Sequence, residues 1–132
     1  MSKHQFYLAD DDSLIIIPCK LDENEHDLSL AFDTAASHTV IDLNALLIAG
    51  YIVKDAVRSA HLETAKGTVE ALVFQIDNLT ALGLPRFNME VCSYDFLANN
   101  ILTDIDGVLG LDFFKGTYLG IDFKRFEITV TL

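Results

Sequence analysis

Residues Leu30 to Asp42 read LAFDTAASHTVID: an apolar run ends at Phe32, one carboxylate follows at Asp33, and an apolar run resumes at Val40. A turn that serves geometry alone draws mostly on Gly, Asn or Pro. Asp33-Thr34-Ala35-Ala36-Ser37 instead sets a carboxylate and hydroxyls among small side chains. The pattern predicts a loop that holds chemistry between two strands.

The chain on either side of this loop is patterned for β-structure. Leu14 to Leu21 predicts a strand, Asp22 to Asp27 an exposed turn, and Leu28 to Phe32 a second strand with Leu28, Leu30 and Phe32 on one face. This hairpin delivers the chain into Asp33. Beyond the loop, Thr39 to Ile41 predicts a brief strand, and Asp42 is placed to cap a helix from Leu43 to about Ala49 that Gly50 ends. His61 to Glu70 and Leu72 to Ile76 read as strand-forming segments, with Ala65-Lys66-Gly67 as a hairpin tip or bend. Pro85 argues against a central strand at its own position, and Phe87 to Val91 resumes the alternation. Tyr118 to Phe123 and Phe126 to Leu132 flank Lys124-Arg125 and predict a terminal hairpin. Its second strand aligns Phe126, Ile128, Val130 and Leu132, a face that either fills the core or meets a second chain. The expectation is one mainly β domain over residues 1–132 with one or two short helices.

Charge narrows the partners. Twenty acids against nine Lys and Arg give a formal charge of -11, which disfavours nucleic-acid backbones and anionic membrane surfaces. No basic region precedes a long apolar core near Met1, and no run of about 18 apolar residues occurs. The expectation is a soluble cytoplasmic protein in which Cys19 and Cys92 stay reduced. His4, His26, His38, His61 and the two cysteines lack zinc-ligand spacing, so no metal is expected, and Asp10-Asp11-Asp12 reads as an exposed turn.

A second stretch, Thr103 to Gly110, reads TDIDGVLG. A calcium loop aligned on Asp104, Asp106 and Gly107 would put Leu102 at its first ligand and Phe113 at its last, which excludes that reading. The Asp-x-Asp-Gly pattern also occurs at the nucleophile of haloacid-dehalogenase-like phosphotransferases, but their α/β fold does not fit the β patterning here.

Taken together, FDTAAS at 32–37 and DGVLGLDFF at 106–114 resemble the two signatures of the retropepsin-like aspartic proteases. Those are an Asp-Thr-Gly loop and, later, two apolar residues and a Gly before a short helix. Order and separation agree, and the resemblance covers nearly all of the chain from Leu14 onward. It implies a closed β-barrel that works as a homodimer, each protomer lending one aspartate, here Asp33, to a shared site. Two carboxylates about 3 Å apart share one proton, so one serves as base toward a water while the other stabilises the oxyanion of a peptide carbonyl. The implied activity is an aspartic endopeptidase acting on an extended peptide or protein, with no cofactor. The resemblance further implies that Thr34 hydrogen-bonds across the dimer axis and that Ser37 lies near the carboxylate. Val108, Leu109 and Gly110 would pack beside the loop, and Ala65, Lys66 and Gly67 would form the flap. The sequence supports dimerisation on its own account, because it contains no second Asp-Thr-Gly or Asp-Ser-Gly.

Ala35 departs from the family's Gly. Its methyl group must fit close to the carboxylates, and a left-handed backbone there would cost about 1 kcal/mol or more. This motivates an alternative: a catalytically weak or inactive retropepsin-like domain that dimerises or binds peptides. An unrelated β-barrel that carries a small apolar ligand is a third reading.

Overall fold

The computed structural model describes residues 2–9, 14–64 and 67–132. The expected turn at Asp10 to Asp12, and Ala65 and Lys66 of the expected flap, lie outside them. In chain order the strands are β1 (Ser2–Gln5), β2 (Tyr7–Leu8), β3 (Ile15–Leu21), β4 (Leu28–Phe32) and β5 (Val40–Asp42). After helix α1 (Leu43–Ile48) come β6 (Ala56–Thr64), β7 (Gly67–Ala81), β8 (Leu84–Tyr94), β9 (Gly107–Leu109), β10 (Tyr118–Asp122) and β11 (Glu127–Thr131). Short 3-10 turns occupy Val53–Asp55 and Leu111–Phe114.

The large sheet runs β2-β3-β4-β9-β5-β8-β7-β6, and β3 also pairs with β7, so the sequence of pairings returns to β3. A smaller antiparallel sheet, β1-β11-β10, joins the two ends of the chain. Alternation explains the core. On β3, Ile17, Cys19 and Leu21 point inward and are almost fully buried, as do Leu30 of β4, Ile41 of β5 and Leu109 of β9. Phe74 and Ile76 of β7 and Phe113 complete the centre of the same cluster.

The arrangement that positions the loop is local to three strands. β4 and β5, the strands before and after Asp33, are not neighbours; β9 lies between them, parallel to β4 and antiparallel to β5. Asp106, just before β9, fastens both neighbours. Its N–H donates to Ser29 O at 2.8 Å, its carboxylate accepts from Ser29 N at 2.8 Å, and its carbonyl accepts from Asp42 N at 2.7 Å.

Helix α1 follows the expected signals. Asp42 accepts from Asn44 N at 3.4 Å at the N-terminus, and Gly50, at φ +109°, lets the chain leave beyond the C-terminus. The terminal strand uses its apolar face for the core: Ile128 and Val130 are buried, whereas Phe126 and Leu132 are 44% and 88% exposed.

The boundaries differ most from the sequence reading on β6, β7 and β8. β6 begins at Ala56 rather than His61, and β7 continues to Ala81 rather than Ile76. β8 runs through Pro85, which pairs with Thr80 of β7. There β8 has only one neighbour, because β5 reaches only Cys92 to Tyr94, and proline is tolerated on such an edge. The N-terminal strands β1 and β2 were not foreseen. Ser2 to Gln5 is polar and gains its place by pairing with β11, not by burying an alternating face.

Candidate active site

Asp33 follows the last residue of β4, and its backbone is held by the neighbouring strand: Asp33 N donates to Leu109 O at 3.2 Å. The loop then turns back on itself. Ala36 N donates to Asp33 O at 3.2 Å, and Ala35 N donates to the Asp33 carboxylate at 2.9 Å. Among the described residues no other hydrogen bond reaches that carboxylate. It orients the side chain from within the loop.

The structure removes the backbone objection to Ala35. Ala35 is not among the residues with positive φ, so its Cβ meets no left-handed penalty, and its N–H still supports the carboxylate. Thr34 is exposed, and its hydroxyl has no hydrogen-bond partner among the described residues of the chain. Ser37 is also exposed and lines the cleft over the loop, but no hydrogen bond ties it to Asp33.

The far side of the loop is clamped to residues 107–112. Thr39 is fully buried; its N–H donates to both Asp112 carboxylate oxygens at 3.0 Å, and its hydroxyl donates to Asp112 Oδ1 at 2.7 Å. The same hydroxyl accepts from Gly110 N at 3.1 Å. Leu111 N closes the clamp on Ala36 O at 2.8 Å. Glycine is required by crowding at both ends of this segment. A Cβ at Gly110 would lie 2.7 Å from the His38 carbonyl and 2.8 Å from Ala36 O, and one at Gly107 would lie 1.9 Å from Val40 O. Of the expected packing residues, Leu109 is buried beneath the loop and Val108 reaches the cleft.

The cleft has a volume of about 540 Å³. Asp33, Ala35 and Val108 lie on one side, and His61, Leu62 and Thr64 of β6 lie on the other. Tyr94 and Phe96 add aromatic surface. Gly67, the described residue of the expected flap, opens β7 at φ +109° and is not among the residues that line this cleft. Sequence reasoning missed Thr39, Asp112, His61, Tyr94 and Phe96. Asp112 carried a usable signal, an acid inside the apolar run LGLDFF that needs a buried partner. The cleft wall on β6 carried none, since His61 reads as an ordinary exposed strand residue.

Both cysteines are free and buried. Burial raises the Cys92 thiol above its ordinary value, which keeps it protonated and unreactive. Among the described residues no group of His, Cys, Asp and Glu could hold a metal ion. Among the described residues no helix is long and apolar enough to cross a membrane.

Residues 17–113, which contain the Asp33 loop and its clamp, match the model of a family described as aspartyl protease. The chain belongs to that family. Its fold agrees with this aspartyl protease assignment: it is similar to the crystal structure of a retropepsin-like aspartic protease from Rickettsia conorii, with a TM-score of 0.70 and 18% sequence identity over 98% of this chain and 90% of that one. No curated protein matches the sequence. Membership of the aspartyl protease family replaces the reading of an unrelated ligand-carrying barrel.

Proposed function

We propose that the chain is an aspartic endopeptidase whose whole length forms one retropepsin-like domain, a closed barrel that works as a homodimer. The bond from Ala35 N to the Asp33 carboxylate, at the base of a cleft bordered by β6, carries this reading. Asp33 of each protomer supplies one carboxylate. The pair holds a water and shares a single proton; one carboxylate takes a proton from the water as it attacks the peptide carbonyl, and the protonated partner donates to the developing oxyanion. The proton then passes to the leaving amine nitrogen as the C–N bond breaks.

The exposed hydroxyl of Thr34, without a hydrogen-bond partner among the described residues, supports a contact across the two-fold axis, as an isologous interface requires. Substrate lies extended between the Asp33 loop and the β6–β7 hairpin, with main-chain hydrogen bonds for affinity and alternate side chains in pockets. Two unbridged cysteines support a reducing, cytoplasmic setting.

The test combines solution mass with cleavage of an unstructured peptide library at mildly acidic pH. A dimer that cleaves, and an Asp33→Asn variant that does not, is the expected result; cleavage that survives Asp33→Asn refutes the assignment. A dimer that binds peptide and never cuts it would establish the inactive, peptide-binding reading instead.

A further inference from the structure

Tyr94 and Phe96 both line the Asp33 cleft, with ring centroids 6.4 Å apart. Tyr94 ends β8 and is paired with Asp42 of β5. Phe96 belongs to the stretch 95–105, none of whose residues is buried, and in which Leu97 and Leu102 are 70% and 88% exposed. Packing alone holds this stretch weakly. Its turns are closed from within: Asn99 N donates to Asp95 O at 3.2 Å, Ile101 N to Phe96 O at 2.8 Å, and Ala98 N to the Asp95 carboxylate at 3.0 Å. Among the described residues, two hydrogen bonds tie residues 95–105 to the rest of the fold, and both end at the start of α1. Phe96 N donates to Asp42 Oδ1 at 3.1 Å, and Asn44 Nδ2 donates to Asp95 Oδ1 at 2.9 Å.

The Asn44 amide has two N–H donors, and each meets a carboxylate: Asp95 Oδ1 at 2.9 Å and Asp42 Oδ1 at 3.3 Å. A third carboxylate in its place would repel both. Neither Asp42 nor Asn44 lines the cleft; they line a separate cavity of about 300 Å³ between α1 and the β3–β4 turn. Resting on the peptidase reading, we propose that Asp42 and Asn44 are positioning residues for substrate selection. They hold Phe96 in the cleft wall, and so set how strongly the site prefers a bulky apolar side chain over a small one at the substrate position beside that ring. An aromatic wall rewards a substrate by the apolar area the two cover together, which falls when the ring is displaced. The Asn44 side chain makes none of the bonds that clamp the Asp33 loop, which run through Thr39, Gly110, Leu111 and Asp112. A change at Asn44 therefore reaches selection without unfastening the carboxylate.

The experiment compares affinity ratios, which do not depend on how much of a variant is folded. Peptides carrying Phe or Ala at each position in turn are bound to the Asp33→Asn protein, and the Phe-to-Ala ratio is taken position by position. Beside the ring the ratio should be about tenfold or more, and adding Phe96→Ala should collapse it there. Adding Asn44→Asp instead should lower the ratio at that same position by about three- to fivefold and leave the other positions unchanged. Asn44→Ala, which removes the amide without adding charge, should lower it less, and decides by the same ratio if Asn44→Asp does not fold. A purely structural role for Asn44 predicts a lower melting temperature with every ratio unchanged, and that result would overturn the inference. So would a fall at a position other than the one Phe96→Ala affects, ratios that Phe96→Ala leaves unchanged, or no peptide binding at all. Cleavage of the same peptides by the protein that keeps Asp33 is scored separately. Selective binding without cleavage would refute the peptidase reading and leave the positioning role standing, and cleavage with ratios indifferent to Asn44 would do the reverse.

Discussion

The two walls of the cleft are built differently. On one side, the Asp33 loop is held by buried groups: Thr39 is fully buried, Gly107 and Gly110 are too crowded to accept a Cβ, and Asp112 accepts the bonds that fix Thr39. On the other side, β6 is an edge strand whose residues are exposed or half-buried along its full length, and a Cβ added at Gly67, the first residue of the strand paired with it, would meet no atom within 4 Å. A carboxylate that must be aimed is set in the part of the molecule that cannot move without breaking many contacts. The side chains of the opposite wall are set where substitution disturbs little.

Two glycines with positive φ put this contrast to its hardest test. Gly107→Ala drives a Cβ against Val40 O, and a loss of more than about 4 kcal/mol is expected, visible as a collapsed urea midpoint or failure to fold. Gly67→Ala has the same conformational handicap but no atom within 4 Å, and should cost only about 1 kcal/mol. Equal losses at the two positions would break the comparison. Thr39→Val keeps the shape of the side chain but strips the Gly110 N–H and Asp112 of a partner; a loss of about 2 kcal/mol by denaturant titration, with a fall in peptide cleavage, is expected.

Smaller effects sharpen the picture within the loop. Because Ala35 has no left-handed backbone to relieve, Ala35→Gly should destabilise the protein by about 0.5–1 kcal/mol through the added freedom of the unfolded chain. Cleavage should not increase, as the N–H that supports Asp33 is already in place. The smallest effect belongs to Asp95, whose carboxyl is held below its ordinary value first by the Ala98 N–H and then by the Asn44 amide. A lowered folded value means that the contribution is present above the ordinary carboxylate range and is lost as pH falls through the folded value. Acidification should therefore lower the protection factor of the Ala98 amide, taken against its intrinsic exchange rate at each pH, while the Gly110 amide keeps its protection.

The Asp33 loop, the hairpin before it, the capped helix and the terminal hairpin were legible because each rests on neighbours in sequence: alternation, an Asp cap, a Gly exit. Thr39 was legible only as a strand residue. Its role arises from Asp112, 73 residues away, and no local pattern announces such a bond. The same holds for β1, which is polar and earns its strand from β11. The cleft wall at His61 and Glu63 was illegible for another reason. On an edge strand, exposed charged residues are the ordinary composition, so their meaning appears only once the Asp33 loop is seen opposite.

The insertion of β9 between β4 and β5 also dictates when the site can come into being. Asp106 meets Ser29 across 77 residues, and Gly110 meets Thr39 across 71. Contacts of such high contact order close large loops before they return any stabilisation, and they are slow to form. A chain emerging from the ribosome can form the β3–β4 hairpin early, but Asp33 has no clamp until residues 107–112 have been synthesised and threaded between the flanking strands. Assembly of the carboxylate site is thereby tied to the arrival of residues 107–112, a timing control written into strand order.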